Sequence, residues 1–169
     1  METVMILGMS LSAFTTFHVV LSLIGIASGL IVLAAMIDNK RAPAWTALFL
    51  VTTIATSVTG FLFPFKTFDP ALVVGTISLV LLVIAVLSLY ALRLAGIWRP
   101  VYVVAAVMAL YLNAFVGVVQ SFQKLAFLKP LAPTQSEPPF AIAQGAVLIL
   151  FVLLGFLALR RFHPPIKPA

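Results

Sequence analysis

HVVLSLIGIASG, residues His18–Gly29, carries the one histidine that lies inside an apolar stretch of this chain. His18, Ser22, Gly25 and Gly29 recur at i, i+4, i+7 and i+11, so a helix places them on a single face. Valine, leucine and isoleucine fill the flanks of that face. Gly25 and Gly29 form a G-x-x-x-G pair, a pattern that lets a second helix backbone come close in a membrane. The spacing predicts a helix whose small and polar face is covered by the rest of the chain.

Composition fixes the solvent. The chain is 63% hydrophobic and 8% charged, with a mean hydropathy of +1.24. Soluble domains carry about a quarter charged residues, so this pattern is that of a membrane protein. The fold class expected is all-α: a polytopic helical bundle of five transmembrane helices, with residues 1–169 forming one transmembrane domain. Without cysteine there are no disulfides, thiolate metal sites or thiol chemistry. The formal charge of +6 would suggest nucleic acid in a soluble protein; here no nucleic-acid partner is expected, and the charge concerns which side of the bilayer it occupies.

The spans follow from apolar runs of about 20 residues and their polar breaks. They are expected at about 14–37, 44–63, 71–94, 101–123 and 139–159. Residues 1–12 read as an interfacial lead-in or a tilted extension of the first helix; with no basic segment and no A-x-A-like site, the first helix is expected to be retained. Thr52, Thr56 and Thr59 make a polar stripe on the second span, tolerable in lipid because each hydroxyl can bond its own i−4 carbonyl. The third span reads as scaffold. The fourth is the most polar, with Asn113, Gly117 and Gln120 on one face, and the segment before Pro139 is too rich in proline for regular structure.

Charge asymmetry predicts orientation. Lys40, Arg41, Arg93, Arg99, Arg160, Arg161 and Lys167 share one side with Asp38, while Lys66, Lys124 and Lys129 face Glu2, Asp69 and Glu137 on the other. The positive-inside rule then puts the C-terminus in the cytoplasm and the N-terminus outside, with Trp45 and Trp98 as interface anchors on the cytoplasmic side.

Depth gathers a candidate site. His18, Thr59, Gln120 and Gln144 all fall within roughly 5–8 Å of the outer interface, and Asn113 lies about 10 Å deeper on the face of Gln120. With Ser22, these residues read as the lining of an outer pocket for a small apolar, lipid- or quinone-like ligand. They read equally as helix-to-helix hydrogen bonds in a structural or accessory subunit of a homo-oligomer or larger membrane complex. Gly25 and Gly29 are assigned to helix packing.

Other chemistries are disfavoured. A single intramembrane histidine cannot supply both axial ligands of a haem, nor a clustered metal site, so neither cofactor nor metal is expected. Pumping normally uses intramembrane carboxylates or cations, and every Asp and Glu lies in a loop or terminus. Ser22 is one turn from His18, but no acid on that helix orients the imidazole, so an enzyme is not expected; Glu137 in the outer loop is the one carboxylate weighed as a partner.

The H-x3-S-x2-G pattern of the first span, Tyr111-Leu112-Asn113 in the fourth and PTQSEPPFAIAQG before the fifth resemble a family of small, uncharacterised bacterial integral membrane proteins. That resemblance implies a multi-pass protein of the bacterial inner membrane and brings no activity with it. The tryptophan-rich translocator proteins also have five spans in a chain of this size, but their Trp- and Pro-rich motifs are absent here.

Overall fold

Ser10 ends a two-stranded hairpin and begins the first helix. The computed structural model describes residues 5–64 and 70–164; Glu2, Lys66, Asp69 and Lys167, which entered the charge count, lie outside the described residues. Strands β1 (Met5–Ile6) and β2 (Met9–Ser10) pair antiparallel, with Ile6 opposite Met9. Leu7 and Gly8 join them with φ of 52° and 78°, the two positive values that a tight hairpin turn of the right twist demands. Of the expected lead-in at 1–12, residues 5–10 form this hairpin and the helix already begins at Leu11. Helix α1 (Leu11–Ile37) starts at once after it, where the Ser10 hydroxyl accepts the Ala13 amide at 3.3 Å.

The chain then runs up and down through α2 (Pro43–Gly60), α3 (Pro70–Val86), α4 (Trp98–Lys124) and α5 (Pro138–Arg161). Pro43 and Pro138 open their helices, where the missing amide costs nothing. The proline-rich segment keeps one short 3-10 turn, Lys129–Leu131. The fold is all-helical apart from the hairpin, and α1, α3 with its extension, α4 and α5 are long and apolar enough to cross a membrane. Helix α2 falls short of that standard, because threonine and serine occupy a third of its length.

The third span departs from a plain helix. Past Val86 it widens into a π-turn, Leu87–Ala91, in which the Leu92 amide reaches back to the Leu87 carbonyl at 2.9 Å. Arg93 and Leu94 follow with φ of 51° and 60°. Left-handed backbone is costly for residues with a Cβ, so neighbouring contacts must hold it; Leu94 is buried and its amide bonds the Ser88 carbonyl at 2.9 Å.

Helix α4 is the hub, packed on α3, α5 and α1, while α1 lies chiefly along α2. Gly29 sets the closest approach. A Cβ there would lie 2.5 Å from Leu110 Cδ1 on α4 and 2.9 Å from Phe49 Cδ2 on α2. The G-x-x-x-G face of α1 is thus buried against two helices, as its spacing predicts. The apolar core fills the half of the bundle below Gly29, from Val32, Met36 and Leu50 through Leu82, Tyr102 and Leu110 to Phe151. At that end the C-terminal segment is tied down: Arg99 Nη1 donates to the Phe162 carbonyl at 2.6 Å, and the His163 amide to Asn39 Oδ1 at 2.7 Å.

Replacing Gly29 with leucine should lower stability in detergent by about 1–3 kcal/mol through overpacking against Phe49 and Leu110. Leu30→Val, on the exposed side of α1, should cost less than about 1 kcal/mol. Thermal unfolding that ranks the two in the opposite order would contradict this assignment of the buried face.

Candidate functional site

Above Gly29 the interior turns polar. The signal is visible in the sequence: α1 offers Ser22 and Gly25, α4 offers Asn113, and α2 offers adjacent threonines. Gly25 leaves the room in which they meet. The point a Cβ would occupy there lies 3.0 Å from Asn113 Nδ2, 3.0 Å from Thr53 Oγ1 and 3.3 Å from Thr52 Oγ1. Ser22 Oγ donates to Asn113 Oδ1 at 2.8 Å, and Asn113 Nδ2 returns a bond to the Ser22 carbonyl at 3.3 Å. One amide side chain thereby closes a two-bond clasp between α1 and α4, with Asn113 buried.

His18 stands one turn above Ser22, half-buried, and its partner is a hydroxyl. Depth and the small-residue face predict an inward-facing imidazole beside Gln120 or Gln144; the structure turns it inward but onto Thr59 of α2. His18 Nδ1 lies 2.8 Å from Thr59 Oγ1. Thr59 uses its own proton on the Ala55 carbonyl at 2.7 Å, so His18 Nδ1–H is the donor and Nε2 keeps its lone pair. Phe63 meets the imidazole edge-on at 5.2 Å between ring centroids, and the ring lies beside Gly60 of α2. Among the described residues nothing bonds Nε2.

Gln120 and Gln144 remain apart from this pair. Gln144 Nε2 donates to the Phe115 carbonyl of α4 at 3.2 Å, which ties α5 to the hub. The Oε1 atoms of Gln120 and Gln144 and the hydroxyl of Thr53 are buried without a hydrogen-bond partner among the described residues. Sequence reasoning passed over Thr53, because the stripe was traced through Thr52, Thr56 and Thr59. Thr46, Thr53 and Ser57 form a second row at i, i+7 and i+11, the same spacing that marked α1, and Ser57 reaches Ser78 of α3 at 3.2 Å.

Glu137 does not orient His18. Its carboxylate accepts the Thr134 amide at 3.1 Å, the Thr134 hydroxyl at 2.9 Å and the Ser136 amide at 3.1 Å, all within its own turn. Partial desolvation pushes that carboxyl up, and these bonds outweigh it and hold its pKa below the ordinary value. The layer thus contains hydrogen-bond acceptors, hydroxyls and one imidazole. Among the described residues no cluster of three or more metal-ligating side chains occurs.

Compared with known proteins, the chain matches no protein-family model, no curated protein and no solved structure.

A double-mutant cycle on Ser22→Ala and Asn113→Ala should give a coupling of about 0.6 kcal/mol, and no more than about 1.7. Additive single effects in reversible unfolding would show that the clasp carries no energy.

Proposed function

We propose that this is a five-span protein of the bacterial inner membrane whose outer polar layer holds a small apolar molecule through a hydroxyl. The observation that carries this reading is the set of unmatched acceptors at one end: Oε1 of Gln120 and of Gln144, with His18 Nε2 open nearby in depth. Buried acceptors without donors are costly, and a ligand that brings an O–H offsets that cost. A quinol or a hydroxylated lipid has this chemistry. His18, Ser22, Thr59 and Asn113 hold the helices around it, and Gln120 and Gln144 face it.

Helix α2 serves as the fifth span in this reading. Its hydroxyl-bearing Thr46, Thr52, Thr53 and Thr59 are buried against the bundle, while Trp45, Leu48, Val51 and Val58 are exposed. Eighteen residues reach about 27 Å, close to the roughly 30 Å of hydrocarbon. The cations support an N-outside, C-inside orientation, since Lys40, Arg41, Arg93, Arg99, Arg160 and Arg161 all come from the ends of helices at one side of the fold. A reporter enzyme active only outside the cytoplasm, fused after Lys167, should be silent; activity would reverse the topology.

The accessory-subunit reading has one observation of its own. Around Gly145 of α5 a Cβ would meet nothing within 4 Å, and Ala141 and Ala146 beside it are exposed, which leaves a small-residue surface open to another helix.

Native mass spectrometry of protein extracted in mild detergent separates the two. Wild type should retain one quinol- or lipid-sized adduct, and Gln120→Leu with Gln144→Leu should lose it while staying folded. An adduct-free chain found only as an oligomer, or with another protein, would overturn ligand binding in favour of an accessory role.

A further inference from the structure

The opposite end of the bundle holds a pocket that the outer layer does not explain. About 180 Å³ of space lies between the end of α1, the start of α2 and the π-turn after α3, with Phe162 closing one side. Its floor is apolar, formed by Val32, Met36 and Leu89. Three hydroxyl-bearing side chains line it: Tyr90, which is exposed, and the buried Thr46 and Tyr102, the latter only 2% exposed with its phenol beside Thr46. Lys40 and Arg41 form the rim.

The rim cations differ. Lys40 Nζ is paired with Asp38 at 3.4 Å, the one ion pair among the described residues, while Arg41 has no carboxylate or carbonyl partner there. A free guanidinium at the mouth, buried hydroxyls inside and an apolar floor between helix ends form an amphipathic receptacle. It stands at the level of Trp45 and Trp98, where head groups meet hydrocarbon.

The geometry points to this pocket as a binding site for the phosphate of an anionic phospholipid from the leaflet bordering the cation-rich end. Arginine pairs a phosphate with two parallel hydrogen bonds, and the mutually bonded Thr46 and Tyr102 hydroxyls keep one proton to donate to its remaining oxygens or to the glycerol. Basic pockets between spans at this level have the chemistry that anionic head groups require. The apolar floor favours a lipid over a soluble phosphate, since only a lipid covers Val32, Met36 and Leu89 with its first acyl carbons. The wall is built for a fixed shape, because Leu89 belongs to the π-turn and Leu94 holds its left-handed backbone against the same space. This inference stands apart from the ligand proposed for the outer layer.

The test uses the full chain in detergent micelles, with phosphatidylglycerol and phosphatidylethanolamine of identical acyl chains as probes, read by native mass spectrometry. Wild type should retain the anionic lipid about fivefold better, the gain expected of one well-placed cation. Arg41→Gln should abolish that preference. Arg93→Gln removes an exposed cation at the same end outside the pocket and should leave it intact. Equal retention of the two lipids by wild type, or equal losses in both variants, would overturn a specific site. Displacement of the lipid by equimolar glycerol phosphate would overturn the lipid as occupant in favour of a soluble phosphate.

Discussion

The bundle depends on how near α1 can come to its neighbours at Gly29. In hydrocarbon no hydrophobic force drives helices together, so contact must come from close packing and interhelical hydrogen bonds. With Leu110 and Phe49 against the bare Cα of Gly29, α1, α2 and α4 share a junction that a larger residue enters only by displacing those side chains. One turn higher, Gly25 extends the same opening, and there the space is taken by Asn113 and two threonines. The apolar core below and the polar layer above are two consequences of a single seam of glycines.

That seam also sorts the polar groups by role. Ser22 bonds Asn113 and His18 Nδ1 bonds Thr59, so these pairs hold helices in place, with His18 Nε2 left over. Gln120 and Gln144 occupy the same end with acceptors left over. In a soluble protein water would meet them at little cost. In a membrane each is a standing penalty that a donor of some kind relieves.

Much of this was legible beforehand, for definite reasons. Glycine spacing fixes the buried face of α1 because only close approach gives those positions a use. Polar turns and prolines mark the helix ends, as Pro43 and Pro138 do. Apolar periodicity was silent on the rest, since lipid and protein interiors are equally apolar and a span shows no hydrophobic side. The hairpin at Leu7–Gly8 and the π-turn after Val86 rest on backbone angles that leave little trace in the sequence. The partner of His18 was misjudged because depth brings it level with several groups, and only the rotation of α2 decides for Thr59. The cation-end pocket was not foreseen because its walls come from the ends of separate helices and from a turn that no repeat announces.

The ties along α5 are unevenly spread. Its lower end is fastened on two sides, through Phe162 to Arg99 and through His163 to Asn39, and Gly155 lets it press onto Val107. Its upper half faces outward through Ile142, Leu148 and Ile149, with Gln144 as its polar tie to α4. Its upper end meets α4 through the Gln144 bond and the edge-on contact of Phe140 with Phe122 at 5.5 Å, so α5 enters that junction through side chains, whereas main-chain groups of Phe162 and His163 are gripped at the lower one.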